Sequence, residues 1–187
     1  MKYTIRYILI YLLTLTSYTL FCQPVNTVFV KKFGGSGNDF LNDIGTYKST
    51  YYLIGSFCNT ILMDNVQLVS EGSFDGFLAR ADSNGSIMWA KKIGGKFNDN
   101  IKSLVIDSQG NSIVSGYFQK KIKSGETTLE SDFYKTWFIA KFDSTGRQLW
   151  IKKFDRNNKL THCRLTKDYS GNLYFAGNFQ DTLISDN

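Results

Sequence analysis

Glycine recurs within one apolar frame, as Gly55 in YLIGSF, Gly116 in IVSGYF and Gly177 in YFAGNF, at intervals of 61 residues (116 − 55 and 177 − 116). Trp89 and Trp150 keep the same interval. FVKKFGG (29–35) returns as WAKKIGG (89–95), blurs to WIKKFD (150–155), and NTILMDN (59–65) returns as DTLISDN (181–187) at twice the interval. A period of this length marks a supersecondary unit that cannot bury its apolar face alone and must stack on its neighbours. The chain is therefore expected to be an array of similar units and not one irregular core.

Each unit reads as four short strands. In the second copy these are IKSLVID (101–107), SIVSGYF (112–118), WFIAKFD (137–143) and QLWIKKF (148–154), all rich in β-branched and aromatic residues and without a helical apolar period. Phe138, Ala140 and Phe142 alternate with Trp137, Ile139 and Lys141. Both strand faces are thus largely apolar, and the sheet is expected to be covered on both sides. The connections DSNG (82–85), DSQGN (107–111), DSTG (143–146) and DYSGN (168–172) are turns, with Asp accepting from the following amides and Gly supplying positive φ. Four antiparallel strands repeated in tandem and covered on both faces make a propeller blade. The expected fold is all-β, with units over roughly 27–88, 89–149 and a truncated 150–187, and Thr27 to Phe33 reading as the fourth strand of a blade.

The joint spacing of GG-x(3)-D (Gly34, Gly35, Asp39 and Gly94, Gly95, Asp99), D-x-x-GN, G-[YN]-F and D-x-x-G-x(3)-W resembles the seven-bladed β-propeller (SBBP) repeat family of exported bacterial proteins. The resemblance covers essentially all of 23–187. It departs from the pattern at YKSTYY (47–52), where the D-x-x-GN turn is missing, and at Asp155-Arg156, which replaces the Gly pair. FDSTGRQLW (142–150) is also similar to the tryptophan-docking repeat of quinoproteins, although the adjacent cysteines of the quinone-dependent dehydrogenases are absent. Their recurrence at equivalent places makes Gly55, Gly116, Gly177, Trp89 and Trp150 expected structural residues, the tryptophans filling gaps between neighbouring blades.

Ahead of the repeats, Lys2 and Arg6 precede the uncharged apolar run Tyr7 to Phe21, the pattern of a signal peptide over 1–22. The run falls short of the roughly 20 residues that a membrane span requires. Cleavage after Cys22 is expected, with lipidation at Cys22 or an uncleaved anchor as the alternatives. The destination is secretion or the cell envelope, without a stable membrane span once the signal is removed. Losing 1–22 lowers the net charge from +6 to +4, with the lysines spread along the repeats. A nucleic-acid partner, which needs a basic stripe or patch, is excluded. The short cluster KKIK (120–123) reads as a solvated hairpin face. Cys58 and Cys163 then remain, too few for a disulfide scaffold, so packing must hold the chain. The 42% hydrophobic and 16% aromatic content suffices for that.

Catalytic chemistry finds little purchase. The single histidine, His162, neighbours Cys163, but adjacent strand residues point to opposite faces and cannot pair. No zinc ligand set or calcium loop is present, DSQGN and DRNNK (155–159) being faint echoes of the latter. FGGSGND (33–39) precedes a strand, whereas a phosphate cradle opens a helix. Asp39 and Asp99, weighed as a carboxylate pair for glycoside cleavage, hold matching repeat positions, which favours a structural role. No catalytic, metal or cofactor site is therefore expected, and no cofactor.

The expected function is an exported, non-enzymatic interaction or surface-display module with a protein or glycan partner. The 165 residues after 1–22 hold about 2.7 periods, an open set, whereas closed propellers use about 4 to 8 blades. The missing blades are expected from a longer protein of which this is an amino-terminal piece. A propeller enzyme, polysaccharide-active or quinone-dependent, with its catalytic residues elsewhere is the alternative, and a degenerate gene fragment a third. A ligand, if any, is expected on the loops 34–39 and 94–99, through Asn38, Asp39, Asn98 and Asp99. In the competing structural reading, the two aspartates only tie down their own loops.

Overall fold

The structure, a computed structural model, describes residues 30–154 and 161–178. Among them are fifteen strands and no helix. The first repeat comprises β1 (Gly34–Gly35), β2 (Asp39–Tyr47), β3 (Thr50–Phe57), β4 (Thr60–Met63), β5 (Val66–Val69), β6 (Asp75–Ala81) and β7 (Ile87–Gly94). The second comprises β8 (Asn100–Ile106), β9 (Ser112–Phe118), β10 (Lys121–Ser124), β11 (Thr127–Glu130), β12 (Thr136–Phe142) and β13 (Gln148–Phe154). The third begins with β14 (Thr161–Lys167) and β15 (Leu173–Asn178). The expected signal segment (1–22), DRNNK and the 181–187 repeat lie outside the described residues. No helix among the described residues is long and apolar enough to cross a membrane.

Each of the two complete blades is an antiparallel meander, β2-β3-β6-β7 and β8-β9-β12-β13. The blades stack as an open, propeller-like arc that does not close. The expectation of four strands per repeat is incomplete, because a hairpin lies between the second and third strands. It leaves its own blade: β10 pairs with β7 of the preceding blade, Lys123 opposite Gly94 and Ser124 opposite Ile93. The earlier hairpin repeats the register, with Leu62 of β4 opposite Gly34 and Ile61 opposite Gly35 of β1. The strand expected over Thr27 to Phe33 lies partly outside the described residues, and 30–33 form none. A strand needs a paired neighbour, and β1 is the part of this region that has one.

The turns form as their chemistry dictates. Asp107 accepts from the amides of Gln109 and Asn111 at 2.9 Å each, and Gly110 takes φ 82°. Asp82, Asp143 and Asp168 repeat the arrangement. Burial lifts the Asp107 carboxyl, but hydrogen bonds from Lys141, Asn111 and Gln109 outweigh it and hold the group down to about 2.

The alternation along β12 feeds two separate seams. Phe138, Ala140 and Phe142 pack with Tyr52, Ile54 and Leu78 of the first blade. Ile139 turns the other way, onto Leu165 of the third. Both faces are covered, so nearly every residue of β12 is buried.

The recurring glycine has a specific cause. The first strand of each complete blade carries a bulge, between Leu41 and Asp43 in β2 and between Ile101 and Ser103 in β8. The carbonyl just before the bulge presses on the neighbouring strand: a Cβ on Gly55 would lie 1.9 Å from the Phe40 oxygen, and one on Gly116 would lie 2.0 Å from that of Asn100. In the third copy the crowding comes from a side chain instead: a Cβ on Gly177 would lie 2.7 Å from Cys163 Sγ.

The bulges also build the joints between blades. Asp43 Oδ2 accepts from the Leu104 amide at 3.1 Å, and one blade later Ser103 Oγ accepts from the Leu165 amide at 3.0 Å. At the other end of the first seam, Tyr52 donates to Gly110 O at 2.7 Å, and Arg80 Nη1 to Ser144 O at 2.7 Å. Trp89 joins them, its Nε1 donating to Ser144 O at 3.1 Å and its ring meeting Tyr52 edge-on at 6.2 Å. Trp150 occupies the matching strand position but is 37% exposed.

Candidate functional site

The bulged residue is Asn42 in the first blade and Lys102 in the second, so one backbone device presents different side chains in successive copies. Around this point the first seam opens into a cleft of about 500 Å3. The first blade contributes Phe40, Asn42, Ser56 and Phe74. The second contributes amides at Asn98, Asn100 and Gln119, together with Lys102, Tyr117, Tyr134 and Lys135.

The floor is tied by amide hydrogen bonds. Asn42 Nδ2 donates to Asn100 Oδ1 at 2.8 Å and to Ile101 O at 2.7 Å, and Asn100 Nδ2 donates to Ser56 Oγ at 2.9 Å. The walls offer aromatic surface: Phe40 and Phe74 pack at 5.9 Å, while Phe40 is 52% and Tyr134 79% exposed. Lys135 Nζ lies 4.1 Å from the centroid of the Tyr117 ring and Lys102 Nζ 6.0 Å. Burial holds the Lys102 ammonium below the usual lysine range, with repulsion from Lys135 and Arg164 adding to the effect. Burial lowers Lys135 as well.

The predicted loop residues divide between two places. Asn98 lines the cleft, whereas Asn38 and Asp39 line a separate shallow hollow with Lys32 and Asp64. Asp39 Oδ2 accepts from the Gly35 amide at 2.8 Å. Asp99 Oδ2 accepts from Gly95 at 2.6 Å and Oδ1 from Gln119 at 3.1 Å. Asp39 thus ties down its own loop through one oxygen, its buried Oδ1 having no partner, whereas Asp99 ties its own loop to the turn between β9 and β10. Asp99 is fully buried, and burial pushes its pKa up to about 7 despite the two amide donors. The Asn38 amide donates to Cys58 Sγ at 3.1 Å.

Cys58 and Cys163 are free thiols. Cys163 is buried against Trp137, and burial raises its pKa to about 11, the opposite of an activated thiolate. His162 beside it is exposed at φ 56°. Among the described residues no three His, Cys, Asp or Glu side chains converge on a metal position.

Lys102, Lys135, Tyr117 and Tyr134 were not singled out from the sequence. The available signal was a break in the repeat: Asn42, Lys102 and Cys163 differ at one register position while the flanking glycines and turns recur.

No protein-family model matches the chain. It is 25% identical over 148 residues to an uncharacterized WD repeat-containing protein of Acanthamoeba polyphaga mimivirus. The match covers 75% of this chain and 11% of that protein, so the chain spans about a tenth of the relative's length. Together with the all-strand architecture, this similarity supports a propeller-like repeat fold.

Proposed function

We propose that the chain is part of an exported, non-enzymatic propeller that binds a partner at the cleft between its first two blades. The observation that carries this reading is the cleft itself, where exposed aromatic faces, side-chain amides and two lysines converge on a seam whose flanking elements repeat. Non-repeating side chains on a repeating scaffold are where a repeat protein acquires a particular partner. The carboxylate of Asp99, with both oxygens engaged by backbone amides, and the protonated thiol of Cys163 support binding over catalysis. Lys2, Arg6 and the apolar run to Phe21 support export to the envelope or beyond. The much greater length of the WD repeat relative supports further blades in a longer protein.

A photo-crosslinking residue at Asn98 in cells producing the full chain should trap a discrete adduct, and the same residue at Glu126, on the outer hairpin, should not. Equal adducts from both positions, or none from Asn98, would overturn the reading.

A further inference from the structure

Resting on the cleft as the binding surface, we propose that its ligand is an extended acidic peptide, two of whose carboxylates, at alternate positions, pair with Lys102 and Lys135. Both ammoniums lie against one aromatic ring, at 6.0 and 4.1 Å from the Tyr117 centroid, so they stand within about 10 Å of each other. Side chains two apart on an extended strand point the same way and are separated by about 7 Å. An alternating acidic segment therefore meets both lysines at once.

Charge within the cleft is uncompensated. Neither lysine takes part in the ion pairs found among the described residues, which join Lys31, Lys92, Lys121, Lys141 and Arg147 to acids elsewhere. The guanidinium of Arg164, whose Nη1 donates to Lys102 O at 3.3 Å, adds to the positive field. Asp99 lies close to Tyr117 but gives no relief, being buried with both oxygens bound to Gly95 and Gln119 amides. Half-buried like charges held together without a counter-ion are destabilising until an anion arrives. Phe40 and Tyr134, exposed at the mouth, give apolar side chains of the peptide a surface. A lone phosphate is too small to engage the aromatic walls together with both ammoniums.

The test uses the full chain and capped hexapeptides carrying Glu-Ser-Glu, Glu-Glu-Ser or Gln-Ser-Gln, with tetragalacturonate and inorganic phosphate as competing anions. Glu-Ser-Glu should bind at least tenfold more tightly than Gln-Ser-Gln and several-fold more tightly than Glu-Glu-Ser, with affinity falling as salt rises. Lys102→Gln or Lys135→Gln should abolish the preference, and the matching Arg variants should retain it. The Gln variants remove a like-charge contact, so a melting temperature at or above that of the parent confirms that they fold. Should one of them unfold, the other Gln variant and the Arg pair still decide. Equal binding of Gln-Ser-Gln, a stronger response to tetragalacturonate or phosphate, or preference retained in both Gln variants would overturn the proposal. A failed peptide beside an intact Asn98 adduct removes the acidic ligand and leaves the interaction module standing.

Discussion

At Asp99 two amide donors favour the charged carboxylate, yet full burial wins and its pKa rises from 3.8 to about 7. The folded state therefore holds this proton more tightly than the unfolded chain, so stability falls as pH rises from about 4 towards 7, by as much as about 4 kcal/mol. Asp107 and Asp143, both held down to about 2, act in the opposite sense and cost stability as pH falls below about 4. Denaturant melts across pH should show a maximum near 4, and Asp99→Asn should flatten the limb above it. The two tryptophans separate in a similar test. Trp89 packs on Tyr52 and bonds to Ser144, so Trp89→Ala should cost about 3 kcal/mol, whereas the more exposed Trp150→Ala should cost under about 1. Equal losses in thermal melts would show that seam contacts do not set the difference. The turn aspartates were legible because their partners lie two and four residues away. The ionisation of Asp99 and the unequal tryptophans were not, since each depends on what a neighbouring blade brings to the seam.

Among the elements, the β10–β11 hairpin shows where reading strands from sequence fails. KIKS and TTLE offer alternating burial with few apolar side chains, Ile122 being the one fully buried, and β10 pairs with a strand some thirty residues upstream. Local pattern carries no record of such a partner. By contrast, the apolar strands β9 and β12 were placed almost to their ends, because alternate residues must satisfy two seams at once. The recurrence of Gly55, Gly116 and Gly177 was visible, but its cause, a bulged neighbour pressing on the strand, emerged with the register. Ile122→Ala should destabilise the hairpin by about 2–4 kcal/mol. Hydrogen exchange should then quicken at Ile93 and Ser124 while the β8–β9 amides keep their protection. Uniform acceleration across both blades would mean that the hairpin is not a separable clasp.

For the molecule as a whole, the first blade presents Leu41 and Ile44 at 58% and 55% exposure, whereas their counterparts one period on, Ile101 and Leu104, pack into the first seam. Exposed apolar sheet faces associate. The chain alone should form concentration-dependent oligomers by light scattering, and Leu41→Lys with Ile44→Lys should shift it towards monomer. A monodisperse parent would count against this. The hairpin joint has a different consequence, in time. Because β10 reaches back to β7, the outer edge of a blade is completed by residues synthesised some thirty positions later. A growing chain therefore always carries one unfinished edge at its newest complete meander. Each edge is sealed as the next repeat emerges, so the order of folding is written into the direction of translation.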